Sequence, residues 1–418
     1  SYGGRYRLDA GKGKSLNALF LRNDVEADYP RPADNFKSVN DRDEHIISLK
    51  WDHQVTEQSG YFIKTYFHDW WTDYTRLGMD TDGNVSIIDD RSEWGFEDYG
   101  VNVTGRHILD GGSELLAGID YQRYRGKDEV VDIASRSEAV TAGFVQVRPK
   151  LAFSPSTHLA IGARYNHAEF GGSHSIWNLS LGQPLPAGLE LQASLGTNFR
   201  LPTADELFRV TDDGANGNEN LEPEQSLNAN LTVSGPLGQS IQWRLGGFYR
   251  EIEDLIGRRN GRFVNTADTT RVRGGEAGLR IDGGHGWKFS INATYARARN
   301  KGASGQIDDI PEWYANASLG WEGNSRGWQL NARHTGDMAT TLEDFGQQSY
   351  GNRTLFDASA WLEFGANGAN RLTLRLENLT DREYANGISQ SATPDDDPFR
   401  YETLGPPRNV QLEYSRSF

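Results

Sequence analysis

The sequence predicts an all-β chain, a transmembrane antiparallel up-and-down β-barrel with about 19 strands visible. Three observations predict it. Apolar and polar residues alternate with period two through most of the chain, and helical periodicity is nearly absent. Only 36% of the 418 residues are hydrophobic, yet aromatics reach 11% and there are 47 glycines. That is too aromatic for disorder, and the long apolar runs of a large soluble core are missing. No stretch approaches the roughly 20 apolar residues of a membrane-spanning helix. Strands that show one face to lipid and the other to water reconcile low mean hydropathy with an oily exterior.

The strands expected in order are 3–11, 14–24, 44–55, 60–71, 95–108, 113–125, 138–153, 157–168, 174–184, 187–200, 223–235, 239–257, 262–283, 286–299, 311–322, 327–337, 352–366, 370–383 and 405–418. In "GLELQASLGTNFR", Leu189, Leu191, Ala193, Leu195 and Phe199 share one face, and Glu190, Gln192, Ser194, Asn198 and Arg200 the other. "WKFSINATYAR", "RLTLRLEN", "HLAIGARYN" and "IQWRLGGFYR" alternate in the same way. The closing "GPPRNVQLEYSRSF" sets Val410, Leu412, Tyr414 and Phe418 against Asn409, Gln411, Glu413, Ser415 and Ser417. One short helical turn is expected at "PTADELF", with Pro202 at its start.

The connections alternate in length. Short ones such as "GKGK", "DGGS", "SPST", "GGHG" and "GNSRG" carry the chemistry of tight turns. Between them lie long loops at 25–43, 72–94, 126–137, 200–222, 300–309, 338–351 and 382–405. Short turns on one side and long loops on the other characterise outer-membrane barrels. The net charge of −15 argues against a nucleic-acid partner and sits mostly in those loops. Cysteine is absent, which removes disulfides and thiolate metal sites. An odd strand count that starts mid-strand at "SYGGRYRLDAG" predicts that further strands precede Ser1, because an open edge in lipid leaves backbone groups unpaired.

Four stretches occur in order: "GTNFRLPTADELF" with "GNENLEPEQSLNANL", "FVNTADTTRVRGGEAGLRI", "LRLENLTDREYANG" and the terminal "GPPRNVQLEYSRSF". Together they resemble the barrel of a TonB-dependent outer-membrane receptor. The matching residues are Phe199-Arg200-Leu201-Pro202, Glu206-Leu207, Asn218 through Ser226, and Asn378 to Tyr384. The resemblance spans the chain by architecture and about its last 220 residues by motif. It implies a barrel of 22 strands, an N-terminal plug and a TonB box. It thus makes residues 1–418 the barrel from about its fourth strand onward, with plug and box outside them. It also implies a Gram-negative outer-membrane location, a terminal aromatic read by assembly machinery, the TonB complex as partner through the missing N-terminal segment, and a ferric siderophore or haem as cargo. Cobalamin, nickel chelate, saccharide or peptide cargo, and a passive porin-like or surface-binding barrel, remain alternatives. No catalytic constellation is present, so no enzyme is expected.

Candidate ligand residues sit where strands open into long loops. "YFHDWWTDYTRLG" places His68, Trp70, Trp71, Tyr74 and Arg76 at such a junction. The aromatics either stack on a flat ligand, with Arg76 pairing an anionic group, or form the girdle, with Trp71 facing lipid. Arg200 and Arg209 flank "LPTADELF" and either attract an anionic chelate or neutralise Asp205 and Glu206. Arg164, Arg244, Arg280 and Arg375 are expected to line a wet lumen and pair with acids. Haem calls for histidine or tyrosine ligands, for which His68 and loop tyrosines are available. No resident cofactor is expected. "DTDGN" at Asp80–Asn84 resembles the start of a calcium loop without its later glutamate. Acidic tips such as "PDDDP" at 394–398 could bridge through divalent cations to lipopolysaccharide, the expected lipid partner.

Overall fold

The computed structural model describes residues 1–30, 35–79, 82–210, 216–259, 261–303, 305–391 and 398–417. Nineteen strands form one antiparallel sheet in which consecutive strands are neighbours. They are β1 (Tyr2–Gly11), β2 (Lys14–Pro30), β3 (Asn35–Gln54), β4 (Ser59–Met79), β5 (Val85–Ile108), β6 (Glu114–Asp128), β7 (Ile133–Arg148), β8 (His158–Ala168), β9 (Gly172–Pro184), β10 (Glu190–Arg200), β11 (Glu224–Leu237), β12 (Ile241–Glu253), β15 (Thr270–Gly284), β16 (Trp287–Asn300), β17 (Trp313–Glu322), β18 (Arg326–Leu342), β19 (Gly346–Phe364), β20 (Asn370–Glu377) and β23 (Asn409–Arg416). Two ribbons stand apart from that sheet, β13 (Ile256–Arg259) with β14 (Arg262–Asn265), and β21 (Ala385–Ser391) with β22 (Phe399–Leu404). A five-residue helix, α1 (Ala204–Phe208), lies between β10 and β11. The chain divides into two compact units, one of residues 1–180, 196–226 and 253–267, the other of residues 181–195, 227–252 and 268–418.

Each expected strand has its counterpart, and the loops expected at 200–222 and 300–309 fall between β10 and β11 and between β16 and β17, but several of the other expected loops are too long. Residues 25–43, 72–94 and 338–351 are mostly strand, paired from Val25↔Arg42 to Pro30↔Lys37, from Thr72↔Trp94 to Met79↔Val85, and from Met338↔Tyr350 to Leu342↔Gly346. Beyond the lipid both faces are wet, so the alternation that marks a strand disappears while its backbone pairing continues. The expected strands at 239–257 and 262–283 each break once, releasing the ribbon β13–β14. The strand expected at 370–383 stops at Glu377.

The register carries the alternation across whole rows. In the first unit, Ile63, Val103, Ile119 and Ala117, Val145 lie on one face through the pairs Ile63↔Val103, Val103↔Ile119 and Ala117↔Val145. In the second unit, Leu279↔Ile291, Ile291↔Ala317 and Leu319↔Leu330 share a face in the same way. These side chains remain open: Ile119 is 64% exposed and Leu412 71%, and Leu374 is exposed as well. An apolar surface this continuous needs a non-aqueous environment. The opposite faces hold ion pairs. Arg164 reaches Asp120, and Arg375 lies 3.5 Å from Glu413, so these two expected lumenal arginines pair with wall acids. Phe418 lies outside the described residues.

The "ENLTD" stretch is a turn built around one side chain. Asn378 has φ 48°, a left-handed conformation that asparagine tolerates. It is 4% exposed. Its Nδ2 donates to the carbonyls of Arg382 (2.9 Å) and Pro406 (3.2 Å), and its Oδ1 accepts from the Arg382 amide (2.9 Å). It thereby ties the end of β20 to the segment entering β23. Asn378→Ala is expected to destabilise the folded chain by about 1–2 kcal/mol, because three part-buried backbone groups lose their partner. The urea midpoint of protein refolded into bilayers measures it, and an unchanged midpoint would remove Asn378 from this role.

Candidate functional site: an aromatic cleft under a loop helix

The site belongs to the first unit and begins with alternation on β4. His68, Trp70, Thr72, Tyr74 and Arg76 have the same parity and share the polar face, opposite Ile63 and Phe67. Trp71 falls on the other face, with Phe67. The structure therefore separates the two tryptophans and keeps Trp71 away from the cleft. Register places Phe96 opposite Trp70 and Trp94 opposite Thr72. The Trp70 ring meets Trp94 and Phe96 edge-on, with centroids 4.9 and 5.1 Å away, and His68 meets Phe96 edge-on at 5.4 Å. Such geometry suits the ring quadrupoles. The Arg42 guanidinium lies 4.5 Å from the Trp70 centroid and 5.4 Å from Trp94, and its Nε donates to Thr72 Oγ1 at 3.0 Å. Arg42 thus contacts both indoles.

The next strands complete the floor. Phe96 faces Gly126 on β6, and Gly126 faces Arg136 on β7. A Cβ on Gly126 would come within 2.8 Å of the Gly95 carbonyl oxygen, so this position must lack a side chain. A cleft of about 290 Å³ results, lined by Trp70, Trp94, Phe96 and Tyr124 from the strands and by Phe170 and Phe208 from the loops. Glu138 at its rim is buried and accepts from the Phe170 amide at 3.0 Å.

The roof is built from residues 201–210 and 216–223. Thr203 caps α1, with Oγ1 accepting from the Glu206 amide (3.2 Å) while Glu206 Oε2 accepts from the Thr203 amide (2.7 Å). Arg200 then grips the helix and the following strand together. It donates to Glu206 at 2.9 and 3.0 Å and to Glu224 Oε1 at 2.6 Å, and that oxygen also accepts from the Ile256 amide at 2.9 Å. Leu207, Leu221 and Phe263 form a small core that joins α1, the loop and the ribbon β13–β14. Asn218 Nδ2 donates to the Phe263 carbonyl at 3.0 Å, and Asn265 exchanges two bonds with Glu222. Phe208 reaches Phe170 edge-on at 5.2 Å and lies under Arg136 at 5.1 Å. Burial opposes ionisation of Glu206, but the Arg200 hydrogen bonds outweigh it, and the Thr203 amide adds to them. Its carboxyl is held below the usual glutamate range.

The structure brings Trp70 and His68 to one aromatic row. His68 Nε2 lies 3.0 Å from Glu44 Oε1. Arg76 Nε lies 2.7 Å from Asp89 in the β4–β5 extension, and Tyr74 is buried beside it in sequence. Arg200 is taken up by two glutamates, and Arg209 Nη1 lies 3.4 Å from Asp205. Neither arginine is free of acids, which matches the neutralising alternative for both. Sequence reading missed Trp94 and Phe96, although "EWGFEDYG" spaces them by two. It also missed the ribbon arginines of "GRRNGR". Arg258, Arg259 and Arg262 are exposed, Arg259 stands opposite Arg262, and no carboxylate among the described residues pairs with them. Among the described residues no cluster of three or more metal-ligating side chains occurs. Asp80, Thr81 and residues 392–397 lie outside them, so the "DTDGN" and "PDDDP" stretches are only partly described.

A two-faced antiparallel sheet with short turns, apolar rows and a ligand-sized cleft on its polar side defines an outer-membrane barrel protein. The family model described as "TonB dependent receptor-like, beta-barrel" matches residues 1–379, and the chain belongs to that family. It is 26% identical over 276 residues to the hemoglobin-haptoglobin utilization protein B of Neisseria meningitidis, covering 54% of this chain and 33% of that protein. It is 24% identical over 178 residues to the vitamin B12 transporter BtuB of Photobacterium profundum, covering 43% and 28%. The chain thus spans about a third of the length of the curated relatives it matches. In fold it is similar to a mutant of the ferric enterobactin receptor PfeA of Pseudomonas aeruginosa, with a TM-score of 0.79 at 16% identity, covering 99% of this chain and 68% of that one. Proteins of this family are receptors of the Gram-negative outer membrane, and the relatives named above are a hemoglobin-haptoglobin utilization protein and a vitamin B12 transporter.

Proposed function

We propose that these residues act as the barrel part of an outer-membrane receptor for TonB-energised uptake of an iron chelate, a siderophore or haem. The observation that carries the reading is the aromatic cleft, together with ribbon arginines that no carboxylate among the described residues pairs, in a chain of this family. Aromatic rings supply stacking surface, and Arg258, Arg259 and Arg262 supply an attractive field for an anionic chelate in a protein that is otherwise acidic. The names of relatives support iron-bearing cargo, while the BtuB name keeps cobalamin as the second candidate. The remaining proposed partners are the TonB complex, engaged through sequence N-terminal to these residues, and outer-membrane lipid. Chemistry at the site is binding and release, with no bond made or broken.

Growth of a deletion strain, complemented by the full gene, on single iron sources tests the reading. We expect loss of growth on at least one chelate and recovery on complementation. Unchanged growth on every iron source with lost cobalamin uptake would move the cargo to the second candidate. Steady ion conductance by the purified full-length protein would instead favour a passive pore.

A further inference from the structure

The outer end of the β15–β16 hairpin carries four arginines on its apolar face. Alternation places Leu279 and Ile281 of β15, and Phe289, Ile291 and Tyr295 of β16, on that face. Tyr295 and Trp313 of β17 are paired neighbours with ring centroids 4.9 Å apart. Trp287 and Trp328 meet edge-on at the opposite end of the same face, 5.6 Å apart. These two aromatic clusters bracket the apolar rows as girdles bracket a lipid-facing band. The next two positions beyond Tyr295 on this face are Arg297 and Arg299, directly opposite Arg273 and Arg271.

Like charges therefore stand face to face twice in succession, which destabilises a sheet unless something of opposite sign is present. The protein supplies only part of it. Glu251 takes Arg271 at 3.3 and 3.4 Å, and Glu312 lies 3.7 Å from Arg299. Arg273 and Arg297 have no carboxylate partner among the described residues. The Nε atoms of Arg297 and Arg299 are buried without a hydrogen-bond partner. In a chain of net charge −15, this local excess of cations is against the trend. Its height is also specific: one step above the aromatic cluster is where headgroup phosphates of the outer leaflet sit. Planar guanidinium forks match phosphate oxygens in geometry and charge.

We propose that Arg271, Arg273, Arg297 and Arg299 form a binding site for a phosphate group of an anionic outer-leaflet glycolipid, whose acyl chains lie along Tyr295, Trp313 and the rows below. The inference rests on the outer-membrane reading and is independent of the cargo. The lipid supplies the missing negative charge, and the site joins the protein to its leaflet.

The test uses the full-length protein in detergent, with bis-phosphorylated lipid A, its dephosphorylated form and inorganic phosphate as probes, read by native mass spectrometry. We expect bis-phosphorylated lipid A to bind at least about tenfold more tightly than the dephosphorylated form, as charge-assisted bonds to phosphate require. R273Q/R297Q should remove most of that preference. Because the substitution also removes a facing pair of like charges, its lipid-free melting temperature should not fall. R244Q, on the opposite face of β12, should leave lipid binding unchanged. Equal binding of both lipid forms, equal binding by R273Q/R297Q and wild type, or saturation of the site by inorganic phosphate at the same concentration as lipid would overturn the proposal. Cargo affinity of R273Q/R297Q should match wild type, so failure here and failure of the iron reading are separate results.

Discussion

Arg200→Ala is expected to release α1 and residues 216–223 from β10 and to open the roof of the cleft. The substitution removes three charge-assisted hydrogen bonds, to Glu206 at 2.9 and 3.0 Å and to Glu224 at 2.6 Å. It also leaves two carboxylates, each with only 14% of its side chain exposed, facing one another without a cation. Breaking such a node costs about 3 kcal/mol. Hydrogen exchange should then show amides of 203–209 and 217–224 losing roughly a hundredfold in protection, that cost expressed as an opening equilibrium, while strands β4–β7 keep theirs. Arg200→Lys should recover less than half, because an ammonium cannot bridge Glu206 as a fork. Acid should mimic the variant. Glu206 has its carboxyl held below the unfolded value, so its contribution is complete above the unfolded pKa and is lost as pH falls through the folded one. The roof should therefore loosen below about pH 4 in wild type. Unaltered exchange in Arg200→Ala would show that the Leu207–Leu221–Phe263 core alone holds the segment.

Trp70→Ala should weaken cargo binding by about ten- to a hundredfold, with little change in stability. Trp70 meets Trp94 and Phe96 and carries Arg42 over its ring, so truncation removes the central ring of the row and one of the two rings that Arg42 contacts. Loss of one stacking ring accounts for about 1–3 kcal/mol. Quenching of intrinsic fluorescence on titration with each ferric chelate gives the affinity. Trp71→Ala, on the other face of β4, is the matched control and should bind as wild type. Equal affinities for Trp70→Ala and wild type would take the cleft out of cargo binding.

The aromatic row and the arginine pairings of the cleft region were legible only in part. His68 and Trp70 could be read because an even spacing on one strand places side chains on one face. Their partners could not, since Trp94 and Phe96 reach them through register on β5 and not through proximity in sequence. Arg200 and Arg209 looked like ligands because "FRLPTADELFR" shows cations beside a loop. Only the fold shows Glu224 arriving 24 residues later to complete the first of them.

The sequence by itself determined the strands within the lipid, their facing and the short turns, because water and lipid act on each residue locally and stamp a period of two on the chain. It also carried the family motifs, whose roles at Asn218 and Asn378 are turns closed by their own side chains. Tertiary structure alone decided how far β3, β4, β18 and β19 continue past the lipid, since both faces there meet water and pairing depends on the partner strand. It alone decided the roof over the cleft and the doubled arginine pairs of β15 and β16. Those arise where residues distant in sequence are brought opposite one another, and no local pattern reports which charges will meet.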